Sequence, residues 1–232
     1  MTKQLGFGLL LTAALSQAGA CALVSRGDTL QVRYFTLDER ATSAASSVKS
    51  DLVLRLGRVD ASGGLGEQIA VRKGAHEISY RDDQRWTEKP AQYVRRELER
   101  ALFSERGLSR SYSGVTPTLE VELLELELVH TDNQAQVRVR LSAEVRDERR
   151  GLCQDNFETQ LPIAAADSSQ DPRSDMEQSV AALSSALHKT VEQVATRAVQ
   201  CLQAADSASA RNTPSEAPAL AEGRALAAES AP

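Results

Sequence analysis

The chain has 232 residues, enough for one domain of ordinary size with terminal extensions. Hydrophobic residues make up 41% and charged residues 25%, which excludes wholly disordered, collagen-like and multi-span membrane proteins. The formal net charge is -5 and aromatic residues make up 4%, so the chain lacks the basic field and the stacking platform of a nucleic-acid-binding protein. The few Cys and His residues are too widely spaced for a zinc knuckle.

The beginning of the chain has the pattern of a secretory signal peptide. Lys3 is followed by the apolar segment 5–15 and then by small or polar residues up to Ala20. This apolar segment is shorter than the about 20 residues that a membrane-spanning helix needs. We therefore expect residues 1–20 to be removed from the mature protein.

Cys21 directly follows this segment, at the position of the acylated cysteine in a bacterial lipobox. Ala18 stands where a lipobox usually has Leu, and Ala18-Gly19-Ala20 also fits the site of an ordinary signal peptidase. We favour lipidation, including a palmitate chain, because Cys is rare here and one lies at the required place. Each buried CH₂ contributes about 0.8 kcal/mol, so several acyl chains would anchor the protein. Ala22 resembles the residue after the Cys in lipoproteins sorted to the outer membrane.

After a linker at residues 21–30, the sequence predicts an α+β domain over residues 31–204. Short segments rich in β-formers precede a first helix, at 31–37, 51–59, 68–72 and 77–80. The section 52–80 is divided by turns and predicts a meander of adjacent strands. Val94, Leu98 and Leu102 recur at helical spacing, so we expect a helix over 89–106 with Gly107 as its C-terminal cap.

The segment 119–145 predicts a hairpin with a β-bulge. Apolar residues alternate with Glu up to Leu123, and the phase then slips by one residue from Leu124 onwards. One extra residue at this point keeps every apolar side chain on one face. The predicted hairpin forms the pairs Leu128–Val137, Leu126–Val139, Leu124–Leu141, Val121–Ala143 and Leu119–Val145, with Glu127 opposite Arg138 and Glu125 opposite Arg140.

The last part of the domain is predicted as a strand over 157–163 and a second helix over about 174–203. The residues that follow are mostly Ala, Ser and Pro, and they cannot bury enough surface to offset their ordering entropy. We expect 205–232 to be a disordered tail. The predicted fold is a single mixed or antiparallel β-sheet with two helices packed against it.

Motifs for chemistry are absent from the sequence, which has no nucleophile elbow, P-loop or H-E-x-x-H. We therefore expect no enzyme, cofactor or metal site. If Cys21 is lipidated, Cys153 and Cys201 remain, and an oxidising periplasm favours a disulfide between them. The alternative is two separate thiols, with Cys201 a small core residue of the second helix.

The order of several segments resembles a known family. After the lipobox-like start come Tyr34-Phe35-Thr36-Leu37, Leu52–Leu56, Ile69–Arg72 and Ile78-Ser79-Tyr80, and then Arg85-Trp86 before a helix with Val94, Leu98 and Leu102. Over roughly residues 21–202 this order resembles the ABC-type transport auxiliary lipoprotein family, which includes the lipoprotein of the paraquat-inducible intermembrane transport system.

This resemblance implies a non-catalytic role in the cell envelope. Family members work beside an ABC permease and ATPase and a periplasmic protein with a mammalian-cell-entry domain. Together these proteins move lipids, phospholipids among them, between the two membranes. The lipoprotein is expected at the outer membrane, held by its lipid anchor with the domain facing the periplasm. Whether the protein forms a homo-oligomer is left open.

Two residues align with aromatic positions of the family, Tyr80 and Trp86. Either could contact a partner or a lipid, although we favour packing under the first helix. Two other functions are also left open. One is a lipoprotein for envelope assembly, such as lipopolysaccharide insertion, and the other is a secreted enzyme.

Overall fold

The computed structural model describes residues 30–37, 49–112, 115–131, 134–163 and 172–212. These residues form eight strands and two helices, the first of which ends in a π-helical segment. The elements in chain order are β1 (Arg33–Phe35), β2 (Val53–Ala61), β3 (Gln68–Lys73), β4 (Glu77–Trp86), α1 (Pro90–Glu99) with the π-helical segment Arg100–Glu105, β5 (Ser109–Arg110), β6 (Thr118–Thr131), β7 (Gln134–Arg146), β8 (Gly151–Pro162) and α2 (Pro172–Asn212).

All eight strands belong to one mixed sheet built around β6. One edge of β6 pairs antiparallel with β7, which in turn pairs with β8. The other edge of β6 pairs in parallel first with β2 and then with β3, so these two strands lie end to end. Next to them, β5 pairs with β2, β4 with β3, and β1 with β4. The structure confirms the predicted single sheet with two helices.

The predicted meander over 52–80 is wrong for its first two strands. β2 pairs with β6 and β5 instead of β3, and only β3 and β4 form an antiparallel hairpin. The reason is that β6 is long enough for both β2 and β3 to share one of its edges. β4 also continues beyond the predicted segment, to Trp86.

The hairpin of β6 and β7 is confirmed, including its bulge. Glu127 lies opposite Arg138, Glu125 opposite Arg140, and the apolar pairs lie on one face as predicted. The one difference is that Leu123, not Leu124, lies opposite Leu141. Leu124 is therefore the extra residue of the bulge. Asp132 and Asn133, which follow Thr131 and precede its partner Gln134 in the chain, lie outside the described residues.

The bulge is hydrogen bonded to the connection between β2 and β3. The backbone N–H of Ser62 donates to the carbonyl of Leu123 at 2.9 Å, and its hydroxyl donates to the carbonyl of Leu124 at 3.1 Å. These bonds satisfy two carbonyl groups that the irregular ladder would otherwise leave without a strand partner. Ser62 thus joins the connection between β2 and β3 to the bulge of β6.

Both helices pack on the same face of the sheet and complete one hydrophobic core. The apolar side chains of β6 and β7 are buried there, together with Val94 and Leu98 of α1 and Leu183 and Leu187 of α2. The alternation of the strands and the stripes of the helices account for this core. No helix in the described part of the chain is long and apolar enough to cross a membrane.

The first helix ends as the sequence predicts, although its last part is π-helical. Gly107 has a φ of 66°, a left-handed conformation that favours glycine. The N–H of Leu108 then donates to the carbonyl of Leu102 at 3.1 Å, and the Leu108 side chain is buried. These features are typical of a glycine C-cap with its hydrophobic contact.

Two arginines at this end of α1 hold it against α2. Arg100 forms ion pairs with Glu97 and Glu105 and contacts Nδ1 of His188 at 2.8 Å. Arg106 donates to the Glu192 carboxylate at 2.8 Å and to the Thr196 hydroxyl at 2.9 Å. Since Arg100 is largely buried, these bonds compensate its desolvation and fix how the helices meet.

The second helix is longer than predicted. It continues to Asn212, whereas the sequence predicts an end near residue 203 and a disordered tail from 205. The physical reason is that Ala is the best helix former, and the first Pro after Cys201 is Pro214. Residues 213–232, the rest of the predicted tail, lie outside the described residues.

Deleting Leu124 should leave the alternation of β6 intact, because only the extra residue of the bulge is removed. We expect a domain that folds but loses about 1–3 kcal/mol of unfolding free energy, since the bonds from Ser62 are disturbed. Deleting Leu126 instead shifts the phase of the following residues and should unfold the domain. Urea unfolding of both variants provides the measurement, and equal losses would contradict this account of the bulge.

Candidate interaction surfaces of the sheet

The two aromatic residues singled out in the sequence lie on opposite faces of the sheet. Trp86 is 2% exposed, and its ring meets that of Tyr93 on α1 edge to face, with 6.2 Å between centroids. It therefore packs under the first helix. Tyr80 is 42% exposed on the open face, the face without helices, because it lies opposite Ala70, whose other neighbour is Glu127. Of this pair, only Tyr80 is available at the surface.

The remaining predicted sites concern the cysteines. Cys21 lies outside the described residues. Cys153 on β8 and Cys201 on α2 form a disulfide in the structure, with 6.3 Å between their Cα atoms. Arg197 also bonds Asp155 at 2.7 Å, so α2 runs antiparallel to β8 and is tied to it at two points. Beyond Cys201 the helix continues for 11 residues to Asn212.

A buried ion pair lies at the centre of the open face. Arg72 of β3 donates to both carboxylate oxygens of Glu127, at 2.6 and 3.0 Å. Only 4% of the Glu127 side chain is exposed, and the hydrogen bonds that Arg72 donates to this carboxylate raise the pKa of Arg72. Such a bidentate pair has a specific geometry, and its charge-assisted hydrogen bonds are strong. The pairing of Arg72 could not be predicted from the sequence, since it is 55 residues from Glu127 in the chain.

The ion pair continues across β6 and β7 as a network. Arg138 lies 3.7 Å from Glu127 and 3.5 Å from Glu125, and Arg140 bonds Glu125 at 2.9 Å. Glu158 of β8 adds a carboxylate 3.9 Å from Arg138. Positive and negative charges are thus neutralised within the face. This part of the open face is suited to stability more than to ligand binding.

Further along the open face, a polar depression of about 360 Å³ lies near the start of β6. Its lining includes Asp60, Glu120, Glu122, Glu144 and Arg58. These carboxylates do not converge on a point, and no group of three or more His, Cys, Asp or Glu residues in the described part of the chain could hold a metal ion. The depression has the character of a solvated acidic surface.

Exposed large hydrophobic side chains form two groups on the side of β6 that carries β2 and β3, one beside β3 and β4 and the other beside β2 and β5. We define the β4 margin as Leu30, Tyr34, Ile78 and Tyr80, and the β5 margin as Val53, Tyr112 and Val115. Exposed aromatic and aliphatic residues of this kind are typical of contact surfaces. The margins are therefore the parts of the described surface best suited to bind a partner or a lipid surface.

The β5 margin has an ordered aromatic centre. The guanidinium carbon of Arg110 lies 4.3 Å from the ring centroid of Phe103 and 5.9 Å from that of Tyr112, which is 80% exposed. Tyr and Arg are enriched among the residues that contribute most to protein interfaces. This group could not be predicted from the sequence, because Tyr112 lies in a short Ser- and Gly-rich segment without any periodic pattern.

Comparisons with known proteins agree with this architecture. Residues 35–195 match the family described as the ABC-type transport auxiliary lipoprotein component. The chain belongs to this family. No protein with curated functional information matches it.

Solved structures show the same fold at low sequence identity. Protein XCC0632 from Xanthomonas campestris is 14% identical, with a TM-score of 0.60, over 76% of this chain and 99% of that one. The structure of a second, uncharacterized protein is 13% identical, with a TM-score of 0.55, over 72% of this chain and 98% of that one. The architecture of the family member described here is therefore that of a known fold.

Replacing Arg72 by Ala should lower the free energy of unfolding by about 3 kcal/mol, because Glu127 would be left buried without its two-pronged partner. Arg58→Ala is the matched control on the same face. Its ion pair with Asp60 is solvent exposed and should contribute only about 0–1 kcal/mol. Urea unfolding measures both effects, and equal losses would show that the buried pair stabilises no more than a surface pair.

The pairing of Cys153 with Cys201 can be tested by counting thiols in denatured, unreduced protein made without Cys21. We expect no free thiol. Replacing both residues by Ser should lower the unfolding free energy by about 4 kcal/mol, as chain entropy predicts for a separation of 48 residues. Two reactive thiols, together with unchanged stability of the double variant, would exclude the bond in the mature protein.

Proposed function

We propose that this protein is a non-catalytic lipoprotein of the outer membrane that serves an ABC-type lipid transport system. In this proposal Cys21 is lipidated and the domain faces the periplasm, where it binds a mammalian-cell-entry protein that works with an ABC permease and ATPase. The lipid moved is a phospholipid. The observation that carries the proposal is the family match over residues 35–195.

The N-terminal sequence supports the location. The short apolar segment 5–15 ends just before Cys21, and acylation there would hold the domain at a membrane surface. The linker of residues 21–30 then leads directly into the described part of the chain. An anchored domain of this kind acts at a fixed place in the envelope.

The packing of the domain supports action by contact. The space between the sheet and the helices is filled by fully buried side chains, Leu98, Leu119, Leu141 and Leu183 among them. A lipid carrier of the barrel type instead encloses its ligand in an interior cavity. The exposed hydrophobic groups lie at the β4 and β5 margins, so we assign partner binding to these surfaces and expect it to need neither nucleotide nor metal.

Tyr80 is the residue that we assign to partner or lipid contact, because its ring is exposed on the open face. A Cβ atom added to Gly64 would lie only 2.9 Å from the Tyr80 hydroxyl, so the Tyr80 side chain packs closely against the turn after β2. Trp86 has a structural role instead, because its ring packs against Tyr93 and so holds α1 on the sheet.

Photo-crosslinking in cells tests this function. A crosslinking amino acid at Tyr112 or Tyr80 should capture the mammalian-cell-entry protein from at least one margin. The same group at Arg58, which lies exposed between charged residues, is the matched control and should capture much less. In the Cys21→Ala variant, the protein should lose acyl labelling and membrane association, and the capture should fall.

Other captures would identify other functions. Capture of lipopolysaccharide-assembly proteins alone would favour an envelope-assembly lipoprotein. Capture of nothing, together with turnover of a substrate by the purified protein, would establish an enzyme and overturn the transport role. Capture of a second copy of the chain would show a homo-oligomer.

A further inference from the structure

Three side chains of the β4 margin, those of Tyr34, Ile78 and Tyr80, point to the same face of the sheet, away from the core. On β1, Phe35 and Leu37 are buried whereas Tyr34 and Thr36 are exposed, as expected for an extended chain. Tyr34 lies opposite Arg85 of β4, while Phe35 lies opposite the buried Trp86. Tyr34 therefore stands on the open face.

Ile78 and Tyr80 of β4 lie on the same face. Ile78 lies opposite Arg72 and Tyr80 opposite Ala70, and both Arg72 and Ala70 lie beside residues of β6 on the open face. With Leu30 and Tyr34, each 63% exposed, they make four of the seven exposed large hydrophobic residues among those described. The concentration of such side chains at one edge points to a contact surface.

The chain is tethered at this same edge. Leu30 comes nine residues after Cys21, so a fully extended linker places it within about 30 Å of the anchored residue. β1 begins three residues later. A linker of this length lets the β4 margin reach the membrane surface, a step that rests on the lipidation proposed above.

We propose that the β4 margin rests on the headgroup layer of the phospholipid bilayer that holds the anchor. Tyrosine is suited to this layer, because its ring is apolar and its hydroxyl can remain hydrated. Arg85 beside Tyr34 can reach lipid phosphates, as guanidinium groups favour.

Burial of the rings provides the main attraction, since the charges near the margin are mixed. Arg33, Arg81 and Arg85 lie close to Asp82, Asp83 and Glu177, so the edge has no strong net charge. A bilayer contact driven by ring burial changes little with salt, in contrast to one that depends on a cluster of Lys and Arg. The contact would orient the domain with one particular edge towards the lipid.

Fluorescence quenching on the full-length lipidated protein tests this contact. With Cys21 acylated and the other two cysteines paired, a fluorophore can be attached to a single new cysteine in Tyr34→Cys. The protein is reconstituted in vesicles of phosphatidylethanolamine and phosphatidylglycerol that contain nitroxide-labelled lipid. Tyr112→Cys, at the β5 margin, is the matched control, and Tyr80→Cys provides a second site on the β4 margin.

We expect several-fold stronger quenching at positions 34 and 80 than at 112, with little change when salt is raised. Equal quenching at all three positions in protein that carries acyl chains would overturn the membrane contact and leave the proposed transport function intact. Acyl labelling of the same preparation separates the two proposals. A protein without acyl chains at Cys21 would overturn both the anchor and the contact that rests on it.

Discussion

The arrangement of the whole sheet depends on β6, a strand that must bond on both edges while burying one face. Its alternating Leu and Val side chains meet the helices, β7 takes one edge, and β2 and β3 divide the other. Apolar burial contributes roughly 25 cal/mol per Å², whereas each cross-strand ion pair contributes only about 0.2–1 kcal/mol. The apolar alternation therefore sets the register, and the pairs of Glu and Arg across β6 and β7 follow from it.

The sequence was most informative where partners are close in the chain. The hairpin of β6 and β7 could be aligned almost completely, since a short turn and one phase slip leave a single register that keeps the apolar residues together. The parallel pairing of β2 and β3 with β6 could not be predicted. Ser62 and Leu124 are 62 residues apart, and an alternating strand shows the same pattern whichever neighbour it pairs with.

The two aromatic site candidates show why side-chain placement is harder to predict than strand position. Tyr80 and Trp86 are six residues apart on one strand, so a regular β4 would point them to the same face. β4 instead has three more residues than β3 between the pairs Ala70–Tyr80 and Gln68–Arg85. This irregularity places Trp86 in the core and leaves Tyr80 on the open face, and it has no signature in the local sequence.

The distribution of charge on the open face determines where binding is favourable. A partner that covered the pair of Arg72 and Glu127 would have to replace hydrogen bonds that these side chains already make. Otherwise binding would be weakened by the free-energy cost of desolvating the two charges. A partner or a bilayer at the margins would bury rings such as Tyr34 and Tyr112, which lie outside this network of ion pairs. Because the disulfide and the arginines Arg100 and Arg106 hold α2 in place, such contact needs no rearrangement of the core. Under the proposed function, a domain built in this way serves transport by holding other components in position at the membrane surface.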